Sequence, residues 1–197
     1  YLLPSFWSTA TCEMTASSEV VPLDNDKEVL VSRIDGLTMS GSTAGHLGTA
    51  WAWYLLSPEW ASVVPPGSAA GAYGNDKLKK IAILMTDGEY NTQYCSTGAF
   101  RGVRDKNSNG FFNQRGNCAA ANGKSADQAK ALCAGMKAKG ITVYTVGFDL
   151  GGNATAIDTL SQCASDPTKF YNASGGEQLR QAFRDIAIKI SNLYLTR

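Results

Sequence analysis

The sequence predicts an α/β domain: a parallel sheet with helices on both faces, wound as in doubly wound nucleotide-binding folds. Two observations carry this. From Lys79 onward the chain alternates strand, helix, strand, helix, strand, helix, an order that requires crossover connections and hence parallel strands. The strand stretches are also short, continuously apolar and bounded by turn signals, as in strands covered on both faces. Ile81-Ala82-Ile83-Leu84-Met85-Thr86 stops at Asp87-Gly88, and Ile141-Thr142-Val143-Tyr144-Thr145-Val146-Gly147-Phe148 stops at Asp149. Ligands of open α/β sheets sit at the carboxyl ends of such strands, which makes Asp87 a candidate site residue.

Residues 1–23 read as an irregular lead-in with a short strand near Glu19-Val20-Val21. Asp24, Asn25 and Asp26 offer N-caps to a helix carrying Val29, Leu30, Ile34 and Leu37 at helical spacing. A small-residue loop, Ser40 to Gly45, leads to a second helix with Leu47, Ala50, Trp51, Tyr54 and Leu55 as its inward stripe, stopped by Pro58. Residues 61–76, rich in Pro, Gly, Ala and Ser, form a surface loop ahead of the strand at 80–86. Residues 90–123 form a long polar loop, a length that in compact domains goes with function or with flexibility. Ser125-Ala126-Asp127-Gln128 reads as a capping box opening a helix with Ala129, Leu132, Cys133 and Met136 facing in. A short helix with Ile157, Leu160 and Ala164 follows the strand at 141–148, and Lys169-Phe170-Tyr171 is a third short strand. Ser174-Gly175-Gly176-Glu177 is a second capping box, opening a last helix with Leu179, Phe183, Ile186, Ile190 and Leu193.

The chain has 197 residues, the size of one domain, and 44% hydrophobic residues, enough for a core. A formal net charge of +1 without a long run of one sign excludes a nucleic-acid footprint. No apolar stretch is long enough to span a bilayer. The opening Tyr1-Leu2-Leu3-Pro4-Ser5-Phe6-Trp7 lacks the build of a signal peptide and does not begin with Met, so a longer parent carrying any targeting segment is expected. The cysteines, Cys12, Cys95, Cys118, Cys133 and Cys163, form no CxxC pair, and His46 is the single histidine, which argues against zinc. Dispersed cysteines suit disulfides in an oxidising compartment; the competing reading is buried thiols in the cytosol.

Three oxygen-bearing features point to one site: Asp87, the Ser42-Thr43 loop, and the polar residues after Asp87. Such hard ligands suit Mg²⁺, Mn²⁺ or Ca²⁺. With Gly41-Ser42-Thr43 ahead of a helix, Leu84-Met85-Thr86-Asp87-Gly88 ending one strand and Val143-Tyr144-Thr145-Val146-Gly147-Phe148 forming another, the chain resembles the C-terminal part of a von Willebrand factor A (vWA) domain. Within that superfamily it is similar to TadG-like proteins of bacterial tight-adherence (Flp) pilus assembly. The similarity rests on Trp51-Ala52-Trp53-Tyr54-Leu55-Leu56-Ser57-Pro58, Thr86-Asp87-Gly88-Glu89-Tyr90-Asn91-Thr92-Gln93-Tyr94 and Ala131-Leu132-Cys133, and spans about residues 20–197.

The resemblance implies a metal-ion-dependent adhesion site holding Mg²⁺ or Mn²⁺, with Thr43 and Asp87 as ligands and Ser42 as a possible third. The family's Asp-x-Ser-x-Ser motif is absent here, and by the resemblance the N-terminal strands of the fold are expected to lie upstream of Tyr1. Residues 24–197 are then the C-terminal part of the domain, and metal binding by this chain alone is expected to be weak or absent. The implied function is non-enzymatic: protein interaction in Flp pilus assembly at the cell envelope, with a partner's carboxylate completing the metal shell. The implied place is the periplasm or cell surface, on a membrane-anchored parent. Glu89, Tyr90, Phe111 and Phe112 are the candidate partner contacts. The expected disulfides are Cys95–Cys118, closing the long loop over the site, and Cys133–Cys163, tying two helices beside the strand at 141–148. The alternatives are a metal-dependent hydrolase using Asp87 and Glu89 as an acid/base pair, and a cytosolic vWA domain of a multiprotein complex. Gly41-Ser42-Thr43-Ala44-Gly45 resembles a nucleophile elbow only superficially, because a helix and not a strand leads into it.

Overall fold

The structure is a computed structural model and describes residues 19–38, 43–91, 93 and 122–195. The chain divides into two compact units, Tyr1–Ser40 and Gly41–Arg197. In the first unit, helix α1 (Lys27–Asp35) starts where the sequence places it. Asp26 is its N-cap, its carboxylate accepting from the amides of Glu28 and Val29 at 2.9 and 3.2 Å. The expected strand near Glu19-Val20-Val21 is not formed; those residues have no regular structure. The apolar stripe of α1 is also not buried: no residue of the helix is, and Ile34 is 65% exposed. Helical spacing signals an amphipathic face, but it does not supply the surface that covers it.

In the second unit the sheet is parallel throughout, with strands β1 (Ile81–Thr86), β2 (Thr142–Phe148) and β3 (Phe170–Ala173) in that spatial order. Ile83 pairs with Tyr144 and Thr145 with Phe170. The alternation of strand and helix along the chain and the parallel sense are as expected, and β2 lies in the middle. The third strand starts one residue later than expected, because Pro167–Lys169 forms a 3₁₀ turn.

Helices cover both faces. On one, Ala82 and Leu84 of β1 and Val143 of β2 meet Cys133 and Met136 of α3 (Ser125–Ala138) and Ala52, Trp53 and Leu56 of α2 (Gly45–Leu56). On that same face α4 (Ala154–Cys163) adds Ala156 and Leu160, and the Thr145 hydroxyl donates to Leu160 O at 2.9 Å. On the other face Tyr144 and Val146 meet Ile186 of α5 (Gly176–Leu195), with Leu179 and Ile190 beside it. Phe183, expected to point inward, is exposed; the inward row of α5 runs through Ala182 and Ile186 instead.

Two local expectations need correcting. The inward face of α2 is not Leu47, Ala50, Trp51, Tyr54 and Leu55 but Thr49, Ala52, Trp53 and Leu56. This helix is apolar nearly all round, so its periodicity cannot choose a face. Close approach to α3 chooses it: Gly135 receives the Trp53 ring, and a Cβ there would stand 2.4 Å from it. Leu47 and Trp51 face outward, and Trp51, Tyr54 and Trp60 pack on one another, with the Tyr54 and Trp60 rings stacked at 4.2 Å. The capping box at Ser125 does not form either. Ser125 is the first helical residue, its buried hydroxyl lies 2.7 Å from His46 Nδ1, and Gln128 Nε2 donates to Gly123 O instead. At α5 the cap is shifted by one: Ser174 reaches Gln178 Oε1 with both its amide and its hydroxyl, at 2.8 and 2.9 Å.

A disulfide joins Cys133 of α3 to Cys163 of α4, Cα to Cα 5.0 Å, with both residues fully buried. This is one of the two pairs expected; Cys95 and Cys118 lie outside the described residues. Lys80, at the entry to β1, turns inward and its Nζ donates to Leu56 O at 2.7 Å, satisfying a terminal carbonyl of α2. Burial lowers its pKa.

Candidate functional site

The carboxyl end of β1 turns sharply after Thr86. The Thr86 hydroxyl donates to Gly88 O at 3.1 Å and accepts from Gly88 N at 3.3 Å, which leaves Asp87 exposed at the tip. The chain then returns toward α2. Asn91 N donates to Thr43 O at 3.1 Å, while Asn91 Oδ1 accepts from Thr43 N at 3.3 Å. These two bonds clasp the Thr43 loop to the segment that follows Asp87. Between them Tyr90 turns its ring inward against Gly45, where a Cβ would stand 2.1 Å from the ring, and packs beside Ala126 and Ala129. Burial raises the Tyr90 pKa, opposed by a hydrogen bond with Thr49. An open cleft of about 260 Å³ results, lined by Thr43, Gly48, Thr49, Ala52, Met85 and Thr86 among others.

Of the site residues read from the sequence, Thr43 and Asp87 thus belong to loops clasped at one end of β1. Glu89 is half-buried beside them. Tyr90, read from the sequence as a candidate partner contact, is only 9% exposed and acts here as the wedge that seats the loop on α2. Ser42, Phe111 and Phe112 lie outside the described residues.

The clasp itself was not foreseen. Asn91 does its work through a contact 48 residues away in sequence, and nothing local in Tyr90-Asn91-Thr92 announces it. Gln93 is buried, and its Oε1 accepts from Ser125 N at 3.4 Å, so the same segment also reaches the start of α3. The single histidine is drawn in as well: His46, at the start of α2, meets Ser125, and burial lowers its pKa.

For a divalent cation, the described side chains at this end include the carboxylates of Asp87 and Glu89 and the hydroxyl of Thr43. Thr86 Oγ1 is already committed to Gly88. Among the described residues no group of three or more His, Cys, Asp or Glu side chains could hold a metal ion. Mg²⁺ requires about six oxygens in a near-octahedral shell.

A parallel sheet with helices on both faces, bearing a threonine loop and a Thr-Asp-Gly turn at one strand's carboxyl end, matches the vWA-like fold of the solved structures it is similar to. No protein-family model matches the chain. No curated protein matches it either. Among solved structures it is similar to the vWF domain of the type V pili tip protein Mfa5 from Porphyromonas gingivalis. That match has a TM-score of 0.59 at 20% identity, over 87% of this chain and 75% of that one. It is also similar to the pilus adhesin SpaC from Lactobacillus rhamnosus GG in its open conformation, at TM-score 0.51 and 12% identity over 83% of this chain. A second form of SpaC gives TM-score 0.51 and 13% identity. The match takes in 21% of the SpaC chain, so this chain spans about a fifth of it. At these identities the likeness shows the shared fold.

Proposed function

We propose that this chain is a non-enzymatic, adhesion-type interaction domain that works in pilus assembly at the cell envelope, in the manner of TadG-like proteins. The observation that carries the reading is the clasp: Asn91 binds the Thr43 loop beside the turn bearing Asp87, so two ligand-type residues far apart in sequence share one end of β1. The solved structures with this fold support it, since those proteins are a pilus tip protein and a pilus adhesin. The buried Cys133–Cys163 disulfide supports an oxidising, extracytoplasmic place. In this reading the longer parent carries the membrane anchor; among the described residues no helix is long and apolar enough to cross a membrane.

In this reading Thr43 and Asp87 contribute two oxygens to a Mg²⁺ or Mn²⁺ site, other donors come from outside the described residues, and a carboxylate of the protein partner completes the shell. Titration calorimetry of this chain with Mg²⁺ and with Mn²⁺ tests the metal part. Binding weaker than millimolar is expected, since two side chains do not hold Mg²⁺ against water. Micromolar binding that disappears in Asp87→Ala would show a complete site within this chain. The partner part is tested by capture of pilus subunits on the intact protein with and without Asp87→Ala. Capture that is indifferent both to chelator and to that substitution refutes the reading.

A further inference from the structure

Both loops of the candidate site are tied to one buried residue at the start of α3. Ser125 is fully buried and is the first residue of that helix. Its hydroxyl lies 2.7 Å from Nδ1 of His46, the second residue of α2, three positions after Thr43. Its amide donates to Oε1 of Gln93 at 3.4 Å, two positions after Asn91. The Thr43 loop and the segment that follows Asp87 therefore both hang on Ser125, in addition to the clasp between Asn91 and Thr43. Tyr90 packs on the same helix, beside Ala126 and Ala129.

Among the described residues the Ser125 hydroxyl has one partner, so its proton goes to His46 Nδ1 and the imidazole carries its own proton on Nε2. This bond requires the neutral ring. A second proton, on Nδ1, would face the hydroxyl hydrogen, and the hydroxyl would have to turn away and stand buried without an acceptor. The surroundings oppose the charged ring as well. His46 lies in the first turn of α2 and against the first residue of α3, so an imidazolium would stand at the positive ends of two helix dipoles. Burial acts in the same direction and holds the His46 pKa below the ordinary 6.5. On α3, Asp127 lines the same groove as His46 but is paired with Lys130 at 3.2 Å, and Lys124 precedes the helix. On the segment after Asp87, Glu89 is half-buried, and Tyr90 stays neutral because burial raises its pKa. Apart from His46, α2 carries no titrating charge in this range.

We infer that His46 and Ser125 form an acid-sensitive latch: neutral His46 holds the start of α2 on the start of α3, and protonation of His46 releases the Thr43 loop and loosens its clasp to Asn91. The latch is closed above pH 6.5 and loosens as the pH falls below it, because the opened chain takes up the proton at the ordinary value and the closed chain only at a lower pH. At pH 5 an unshifted imidazole holds its proton by about thirty to one. The opening equilibrium therefore rises several-fold from pH 7.5 to 5, with a ceiling of about thirtyfold. That the loosened end of β1 is a binding site rests on the function proposed above; the latch itself does not.

Amide exchange of the full chain, followed by NMR at pH 7.5 and 5 and corrected for the intrinsic pH dependence of exchange, tests the latch. The amides of Thr43, Asn91 and Ser125 report it, since they donate to Asn91 Oδ1, Thr43 O and Gln93 Oε1. Opening at these three amides is expected to be several-fold more frequent at pH 5. His46→Asn offers a carbonyl oxygen near the place of Nδ1 and does not titrate, so it keeps them protected at both pH values. Ser125→Ala leaves them open at both, while retained protection at the fully buried Val146 of β2 verifies that this variant is folded. The two variants thus lose the pH step from opposite ends, a pattern that a general loss of stability does not produce. Opening that is the same at both pH values, a step that survives His46→Asn, or a His46 pKa at or above 6.5 in its own NMR titration overturns the inference. The exchange experiment involves neither metal nor partner, so its outcome is separate from that of the proposed function, which capture with and without Asp87→Ala decides.

Discussion

Removing the Cys133–Cys163 bridge, by Cys133→Ala with Cys163→Ala, should destabilise the domain by several kcal/mol. The bridge spans 30 residues of sequence, from within α3, through β2, to the end of α4. Chain-entropy arithmetic for a loop of that length gives about 3.6 kcal/mol of unfolded-state constraint at 25 °C. Both sulfurs are fully buried between α3, α4 and the sheet, so replacement by alanine adds a packing loss on the order of 1 kcal/mol for the atoms removed. For a chain of this size each kcal/mol shifts the melting temperature by roughly 2–4 °C, so a drop of about 9–18 °C is expected. Differential scanning calorimetry with and without reductant measures it. The parent protein should melt lower once reduced, and the double variant should lose most of that sensitivity. Cys12, Cys95 and Cys118 remain as internal controls, because any response they cause persists in the variant. If both thiols of the parent alkylate in the native, unreduced protein, or if the variant melts within a degree or two of the parent, the reasoning fails.

Two glycines of α2 should respond with opposite sign. Gly45→Ala drives a Cβ into the Tyr90 ring and should cost roughly 1–3 kcal/mol while loosening the Thr43 clasp, whereas Gly48→Ala meets nothing within 4 Å and should gain roughly 0.5–1 kcal/mol from helix propensity; urea denaturation of the pair separates the two. Stability should also fall on mild acidification through His46. Its folded pKa lies below the ordinary 6.5, so as pH drops below about 6.5 the unfolded chain takes up the proton first, and stability declines until the folded form protonates as well. Melting curves at pH 7.5 and 5.5 check this, and His46→Gln should flatten the difference.

How much of this was legible follows from the reach of each signal. The three short strands came from apolar runs and their punctuation, and the parallel sense from their alternation with helices, signals that tertiary contacts did not need to create. The cap of α1 was legible for the same reason: an aspartate two residues before an amide acts locally. The candidate site was legible only in its parts. Thr43 and Asp87 each stood out by residue type and place, but Asn91, which joins their loops, looks like any polar loop residue.

By itself the sequence determined that the chain is an α/β unit with a parallel sheet, and that Asp87 ends a buried-type strand. Those properties are set by the local alternation of apolar runs, caps and turns. Only the tertiary structure decided that α2 buries Trp53 and not Trp51, and that the Ser125 hydroxyl goes to His46 and not to its own helix. Each is a choice among partners that are distant in sequence, settled by which surfaces come within van der Waals reach. Gly135 admitting the Trp53 ring, and Gly45 admitting Tyr90, are the contacts that settle the first choice and the position of the site.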